Sequence, residues 1–314
     1  KSKYFTLHLN CIKIKTLSTT VLQIKNLSKQ YKDVIALDNL SLEVKQGTVF
    51  GLLGPNGSGK TTTLGILLGV IRQNEGRYSW FENGDASENR RRIGALLETP
   101  NFYPYLTAVQ NLEIVAKIKK VDNVEERIDS VLKQVNLLQR KNSSFKTYSL
   151  GMKQRLAIAS TLLNDPEVLV LDEPTNGLDP QGIAEIRELI IDISKEGKTI
   201  IIASHILDEI EKVCTHAAIL KFGNLIKQGT IGEIIGGENF IKIAANDMST
   251  LKRAINENQT MEISKESEKE IMIKVGKDVS NESVNKYFFE KDIILTQIYS
   301  HSESLETQFL EIIK

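Results

Sequence analysis

The segment GPNGSGKT at residues 54–61 constrains the fold more than any other part of this 314-residue sequence. Its pattern is glycine, four residues, glycine, lysine and threonine, and it lies between the apolar run VFGLL and a run with helical periodicity. A strand, a glycine-rich loop and a helix in this order surround a phosphate with backbone N–H groups and a helix N-terminus. The segment, here called the phosphate loop, therefore predicts a nucleotide site in an α/β fold. A plain glycine-rich turn is the alternative, and the flanking runs disfavour it.

Particular side chains of the phosphate loop have predictable roles. Lys60 would reach the β- and γ-phosphates as a point charge, and the Thr61 hydroxyl would be a ligand of Mg²⁺. The expected ligands are therefore a nucleoside triphosphate and Mg²⁺, and the resemblance described below implies that the nucleotide is ATP. The predicted nucleotide contacts in this region are Gly54, Pro55, Asn56, Gly57, Ser58, Gly59, Lys60, Thr61 and Thr62.

A second acidic motif follows later in the chain, in the sequence VLVLDEP. Asp172 ends a strand that reads as buried on both faces, which would bring its carboxylate to the edge where ligands bind in open α/β sheets. We predict that Asp172 holds Mg²⁺ and that Glu173 orients or deprotonates an attacking water. Alone, such an acidic pair is more often a solvated strand end, but a phosphate loop in the same chain favours the functional interpretation.

Composition and charge exclude several classes of protein. The 40 basic and 40 acidic residues balance, so no nucleic acid is expected as a partner. Cys11 and Cys214 form neither a disulfide framework nor a zinc-binding pattern. No apolar run approaches the roughly 18 residues that span a bilayer. The basic N-terminal tail, residues 1–20, lacks the apolar stretch of a secretory signal and is given no function.

The pattern of residues 21–229 predicts that this part of the chain forms one mixed α/β domain. VLQIKNL and LSLEVKQG alternate as strands, while VFGLL, EVLVLD and TIIIAS are continuous apolar runs that suit a parallel sheet covered on both faces. Helical periodicity at 124–138 and 181–195 would supply the cover, and a helical subdomain is expected at about 100–165.

Residues 230–314 predict a small α+β accessory domain. Gly232, Gly236 and Gly237 suggest a linker, after which FIKIAA, MSTLKRAINEN and EIMIKV read as strand, helix and strand. This part carries 10 basic and 15 acidic side chains, so it is more acidic than the rest of the chain.

The segment YSLGMKQR at residues 148–155 resembles the signature segment of ATP-binding cassette (ABC) ATPases. The resemblance extends over about 21–229, although Leu150 replaces the first of the family's two usual glycines. It implies a RecA-like phosphate-loop core with an N-terminal antiparallel β subdomain, a helical subdomain and here a small C-terminal domain. It further implies that Ser149 and Gly151 contact the γ-phosphate held by a second copy, so that the active unit is a homodimer.

Other positions follow from the same resemblance. Tyr31 matches the aromatic residue that stacks on adenine, and residues 176–179 (NGLD) match a loop that communicates across the dimer. His205 matches the switch histidine, so the expected catalytic residues are Glu173, His205 and Lys60. Glu98 stands where the family usually has a glutamine that contacts Mg²⁺ and water; a carboxylate is a stronger magnesium ligand but donates no hydrogen bond.

Glu98, SLGMKQR and the ending SLETQFLEII resemble the branch of bacitracin-resistance and lantibiotic-immunity exporter ATPases. The resemblance predicts an ATPase peripheral to the cytoplasmic face of the membrane that drives export of a peptide antibiotic. Residues 99–107 (TPNFYPYLT) would dock membrane-embedded permease subunits, or form a packed loop. The alternatives are a soluble ABC ATPase acting on ribosomes or DNA, a transporter ATPase with another small-molecule substrate, and a nucleotide-sensing regulator without turnover.

Overall fold

We describe a computed structural model that covers residues 19–81, 86–97, 101–235, 239–258, 260–267, 269–276, 279–301 and 309. Three sheets and their helices account for these residues. Several predictions fall outside the described residues. They concern Glu98, the first two residues of the segment 99–107, Gly236 and Gly237 of the predicted linker, nearly all of the N-terminal tail, and the C-terminal ending apart from Phe309.

The first part of the chain forms an antiparallel sheet and the start of a parallel one. Its elements in order are β1 (Thr20–Tyr31), β2 (Val34–Lys45), β3 (Val49–Leu53), α1 (Lys60–Leu67), β4 (Glu75–Trp80) and α2 (Ala86–Arg91). Strands β2, β1 and β4 make a three-stranded antiparallel sheet in that order. The buried Trp80 indole N–H donates to Leu67 O at 2.8 Å, which fastens this sheet to α1.

A helical insert separates the next two strands of the parallel sheet. The elements are β5 (Ile93–Leu96), α3 (Ala108–Lys119), α4 (Val124–Gln134), α5 (Leu150–Leu162) and β6 (Val168–Asp172). The predicted helix over 124–138 is wrong at its end, because Asn136 adopts φ 56° and turns the chain after Gln134. Val135 is nevertheless buried and Leu138 packs against the same core cluster, which is why the apolar periodicity continued past the true helix end.

The six-stranded sheet is completed by α6 (Pro180–Lys195), β7 (Thr199–Ser204), α7 (Leu207–Val213), β8 (His216–Lys221) and β9 (Asn224–Thr230). Its strand order is β5-β6-β7-β3-β8-β9, with the first five parallel and β9 antiparallel. The strands β3, β6 and β7 are buried along their whole length, as the continuous apolar runs predict. Gly232 lies in a short helix, α8 (Ile231–Ile235), rather than in a linker, because Ile234 is buried in the same core cluster as β8.

The C-terminal part contains more strands and helices than the single strand–helix–strand unit that the sequence predicted. It contains β10 (Asn239–Ala245), α9 (Met248–Asn256), β11 (Met261–Glu266), β12 (Ile271–Val275), α10 (Asn281–Phe289) and β13 (Leu295–His301). The sheet order is β11-β12-β10-β13, and every pair is antiparallel, which is the split β-α-β arrangement of ferredoxin-like domains. The predicted strands β10 and β12 are therefore antiparallel neighbours, because β11 reverses the chain between them.

Candidate nucleotide site

The phosphate loop leaves β3 in the middle of the six-stranded sheet, where β7 and β8 flank that strand on its two sides. The chain reaches β7 through β5 and β6 on one side and then crosses to β8 on the other, so this is a topological switch point. Ligands bind at the carboxyl ends of the strands at such a point. The same edge carries Asp172 and Glu173 at the end of β6 and His205 at the end of β7.

The backbone of the phosphate loop is shaped around its glycines. Gly59 has φ 103°, and a Cβ added there would lie 2.5 Å from Ala36 O on β2. Within α1, the first intrahelical bond after the loop runs from Thr63 N to Gly59 O at 2.8 Å, so the three preceding N–H groups lie outside the helical ladder. Ser58 Oγ is buried and has no hydrogen-bond partner among the described residues. A cradle of open N–H groups with an unpaired hydroxyl fits a phosphate.

Lys60 occupies the centre of the site and is 6% exposed. Its Nζ donates to Gly54 O at 2.8 Å and Pro55 O at 3.2 Å and lies 3.8 Å from Glu173 Oε1. Burial lowers the pKa of this ammonium, while the charges of Glu173 and Asp172 oppose that shift. The ammonium is therefore partly desolvated, and a phosphate oxygen would be a stronger hydrogen-bond acceptor for it than either neutral carbonyl.

Glu173 and His205 are in direct contact. His205 Nδ1 lies 2.8 Å from Glu173 Oε2, and Glu173 N donates to Ala203 O at 2.9 Å. Glu173 has φ 47°, so its side chain does not continue the alternation of β6. Ser204 Oγ accepts a bond from Ile206 N at 3.0 Å, which fixes the turn that presents His205. Lys60, Glu173 and His205 therefore form one chain of polar contacts, although they come from three separate segments.

Two of the predicted Mg²⁺ ligands, Asp172 and Thr61, lie at the end of β6 and at the start of α1. Asp172 is 2% exposed at the end of β6, and its charge acts on Lys60. Thr61 is exposed in the first turn of α1, next to the phosphate cradle. A carboxylate and a hydroxyl are hard oxygen donors of the kind Mg²⁺ takes together with phosphate oxygens. The donor set therefore fits Mg²⁺, with Glu98 outside the described part of the chain.

Tyr31 lies at the end of β1 and is 44% exposed. Lys29 Nζ lies 4.8 Å from its ring centroid. The strand β2, which pairs with Tyr31, also supplies the Ala36 carbonyl that packs against Gly59 of the phosphate loop. The structure thus places an accessible aromatic ring on the hairpin that borders the loop.

The signature segment forms a separate concave surface. Ser149 begins α5, and its Oγ accepts from Met152 N at 3.3 Å, while the following N–H groups of Leu150 and Gly151 precede the helical ladder. The surface is lined by Ser149, Leu150, Gly151, Met152, Arg155, Gly177, Leu178, Asp179, Gln181, Gly182 and Glu185. None of these described lining residues belongs to the phosphate loop, so the structure does not bring Ser149 together with Lys60 within one chain.

The NGLD segment closes one wall of the surface at Ser149. Asp179 begins α6 and accepts from Gly182 N at 2.9 Å through Oδ1, and Gly177 has φ 75°. The 3.4 Å ion pair between Arg155 and Glu185 belongs to the same surface and was missed by sequence reasoning. Nothing local in the sequence marks that pair, because its two residues are on different helices.

The aromatic segment before α3 is partly packed and partly exposed. Phe102 is half-buried and stacks edge-on against Phe145, with ring centroids 5.2 Å apart. Tyr103 and Tyr105 are 51% and 70% exposed. The buried Asn111 on α3 accepts from Tyr103 N at 2.8 Å and donates to Tyr103 O at 3.1 Å, so the exposed rings stand on a fixed loop.

Comparisons with known proteins agree with this geometry. A family model described as "ABC transporter" matches residues 37–176. The chain is 38% identical over 302 residues to the bacitracin transport ATP-binding protein BcrA of Bacillus licheniformis, covering 94% of this chain and 98% of that protein. It is 38% identical over 233 residues to the lantibiotic transport ATP-binding protein SrtF of Streptococcus pyogenes, covering 74% of this chain and 100% of that protein.

A solved structure is also similar. The dimeric, post-hydrolysis structure of the ATP-binding cassette MJ0796 with ADP and Pi superposes with a TM-score of 0.59 at 28% identity, covering 67% of this chain and 98% of that one. None of the described helices is long and apolar enough to cross a membrane. The strand–loop–helix cradle, the acidic strand end and the similarity to BcrA over 94% of the sequence lead to one conclusion: the chain belongs to the ABC transporter ATP-binding proteins and is an ATPase.

Proposed function

We propose that this chain is the motor subunit of an exporter, in which two copies close around two molecules of ATP with Mg²⁺ and move separate membrane subunits. The observation that carries the proposal is the division of the site into two surfaces. Lys60, Glu173 and His205 lie together, whereas the surface around Ser149 contains none of the phosphate-loop residues among those described. Two copies related by a twofold axis would bring one surface of each kind to each nucleotide.

One chain would supply the phosphate cradle and the base. The open N–H groups of the phosphate loop and Lys60 Nζ would bind the β- and γ-phosphates, and the exposed Tyr31 ring would stack on adenine. Thr61 and Asp172 would hold Mg²⁺, which would neutralise charge on the phosphate oxygens. Glu173 would accept a proton from the attacking water at a carboxylate oxygen, while His205 Nδ1 holds that carboxylate in place.

The second chain would supply the phosphate receptor. The N–H groups of Leu150 and Gly151 and the positive end of α5 would face the γ-phosphate bound by the first chain. ATP would stabilise the closed dimer because its γ-phosphate touches both copies, and hydrolysis would remove that contact. The contact between Glu173 and His205 beside Lys60 disfavours a pure nucleotide sensor, because a protein that only bound ATP would need neither a base nor a histidine that orients it.

The membrane partners would dock on the exposed aromatic rings of the segment at residues 99–107. Tyr103 and Tyr105 are large, accessible and fixed by Asn111, which suits them as anchors for a helix of a permease subunit. In this arrangement the chain would lie on the cytoplasmic face of the membrane.

The exported molecule would be a peptide antibiotic, of the bacitracin or lantibiotic type. Support comes from the relatives, which are named as bacitracin and lantibiotic transport proteins, and from the coverage of BcrA over nearly its whole length. We further propose that residues 21–229 form the nucleotide-binding domain, with its helical subdomain at about 100–165. Residues 230–314 would form the accessory domain, although α8 within that range packs on the ATPase core.

Substitution of Glu173 with glutamine tests the motor function. The variant should bind ATP and form a stable ATP-dependent dimer, while phosphate release falls by about 100-fold or more, since an amide accepts no proton. The exposed Glu188 on α6 offers a matched control, and Glu188→Gln should leave both properties unchanged. Size-exclusion chromatography with ATP and a phosphate-release assay measure the two effects. Undiminished hydrolysis in Glu173→Gln would refute the role of Glu173, and a monomer at saturating ATP would refute the shared site.

Export is tested separately in cells. Expression of the chain with a polytopic membrane subunit encoded beside it should raise resistance to bacitracin or a lantibiotic, and Glu173→Gln should abolish that protection. Protection without the membrane subunit, or its persistence in the variant, would contradict an ATP-driven exporter.

A further inference from the structure

The C-terminal end of α5, the helix that begins at Ser149, is held by cations from two other helices. A helix leaves its last carbonyl groups without intrahelical partners, and a basic residue in its own last turn often satisfies them. The last turn of α5 has no basic residue. Lys119, the last residue of α3, and Arg127, on α4, reach these carbonyls instead.

The contacts of Lys119 and Arg127 cover four successive carbonyl groups. Lys119 Nζ lies 3.0 Å from Ser160 O and 3.4 Å from Thr161 O, and it also donates to Asn164 Oδ1 at 3.0 Å. Arg127 Nη2 donates to Leu162 O at 2.6 Å and its Nε to Leu163 O at 2.9 Å. Cations at a helix C-terminus also interact favourably with the helix dipole.

The connection after α5 is fixed as firmly as the helix end. Asp165 has φ 48° and accepts from Lys198 Nζ at 2.8 Å, and Arg127 Nη2 lies 3.4 Å from the same carboxylate oxygen. Lys198 Nζ also donates to Pro166 O at 2.9 Å. On β5, a Cβ at Gly94 would overlap Thr161 O, so the backbone of β5 packs directly against the C-terminal end of α5.

The connection between α5 and β6 joins two elements that both lead to predicted site residues. Backwards along α5, 13 residues or about 20 Å of helix lead to Ser149. Forwards, β6 begins at Val168 and ends at Asp172, directly before Glu173. A helix is stiff over this length, so a tilt at its C-terminal end displaces Ser149.

We propose that Lys119 and Arg127 are positioning residues for the shared ATP site: they hold the C-terminal end of α5 and thereby set where Ser149 and Gly151 meet the other copy's nucleotide. The inference rests on the proposed function, because Ser149 matters in this way only if two copies share the site. Neither residue belongs to the phosphate loop or lines the surface around Ser149, so their loss should affect closure of the dimer and not binding of ATP to one chain. Displacements of about 1 Å in a reacting geometry can cost up to 100-fold in rate.

The experiment uses the full chain carrying Glu173→Gln, in which ATP-driven dimers accumulate. Adding Lys119→Met replaces the ammonium with an apolar chain of similar length. The ATP concentration that gives half-maximal dimer formation should rise about 10-fold, within the range expected for a displacement of about 1 Å. Binding of a fluorescent ATP analogue to the Lys119→Met monomer should be unchanged. Lys117→Met is the matched control, because Lys117 is an exposed residue in the same last turn of α3, and it should behave as the parent.

The pH profile separates positioning from a general loss of stability. Burial lowers the pKa of Lys119 to about 8, so its charge is lost as the pH rises through that value. Among the described residues, charged groups near this helix end include Arg127, Asp165, Lys198 and the Arg92–Glu167 pair, and Lys198 holds the pKa of Asp165 below its usual value. ATP-driven dimer formation should therefore weaken between pH 7 and 9 in the parent. In Lys119→Arg it should weaken less than in the parent, because a guanidinium keeps its proton in this range.

The outcomes are distinguishable. If the Glu173→Gln parent forms no dimer, the proposed function fails before the inference is reached. If the parent dimerises and Lys119→Met matches Lys117→Met, or if the pH profiles of Lys119→Arg and the parent coincide, the positioning role is overturned. A fall of ATP binding together with the melting temperature in Lys119→Met would also overturn it, by showing a structural role. Arg127→Met should reproduce the Lys119→Met shift in dimer formation, and its failure to do so would contradict the shared anchor.

Discussion

Replacement of Lys60 with methionine isolates the contribution of one buried charge to nucleotide binding. The Lys60 ammonium is 6% exposed and donates to two carbonyls of its own loop. On ATP binding it would exchange these neutral acceptors for phosphate oxygens, and a hydrogen bond between charged groups contributes about 1.5–3 kcal/mol. Since 1.4 kcal/mol is a factor of ten, Lys60→Met should weaken ATP binding by about 10- to 150-fold.

The folding stability of Lys60→Met should change much less than its ATP affinity. The variant loses the bonds to Gly54 O and Pro55 O, but it also avoids the cost of burying the cation, which lowers the pKa of Lys60, and the two effects oppose each other. Isothermal titration calorimetry measures the affinity, and thermal denaturation measures the stability. Lys25→Met, at an exposed position on β1, is the control and should bind ATP as the wild type does. Affinity within twofold of wild type in Lys60→Met would refute the assignment of Lys60 to the phosphates.

Three further predictions address other parts of the account. Glu98→Gln should keep most of the wild-type turnover, because the family's usual amide is restored, and equal loss of turnover in Glu98→Gln and Lys60→Met would contradict this. Gly59→Ala should lower stability by at least about 1–2 kcal/mol in thermal denaturation, because φ is 103° and the new Cβ would lie 2.5 Å from Ala36 O, whereas Gly232→Ala, with open space around it, should cost little. Tyr103→Ser with Tyr105→Ser should reduce co-purification with the membrane subunit and leave the ATPase activity of the isolated chain unchanged. Phe289→Ser, at an exposed aromatic on α10, should reduce neither, and equal effects of the two changes on co-purification would argue against docking at the tyrosines.

The features that the sequence predicted well are formed by residues that are close together in the chain. The phosphate loop needs only a strand, glycines and a helix, and all of them are adjacent in the chain. The buried strands β3, β6 and β7 were readable because burial on both faces leaves polar residues only at the strand ends, here Asp172, Thr199 and Ser204. Their order in the sheet was not predicted, because an apolar run does not show which strands are its neighbours.

The features that the sequence did not reveal depend on contacts between distant segments or on weak patterns. β11 (MEISKE) is mostly exposed, so it lacks the apolar signal that marks β12, and the C-terminal topology was underestimated. The anchoring of α5 joins Lys119 to carbonyls about 40 residues away, and a lysine at the end of a helix reads as a solvated charge. The direct Glu173–His205 contact likewise requires that β6 and β7 be neighbours.

The measurement that tests the central claim most directly is the crystal structure of the Glu173→Gln variant with ATP and Mg²⁺. The account predicts a twofold dimer in which Ser149 and the N–H of Gly151 lie within about 3 Å of the γ-phosphate bound by the other copy's phosphate loop. Bound nucleotide with the Ser149 surface open to solvent, or turned toward the nucleotide of its own chain, would contradict the account.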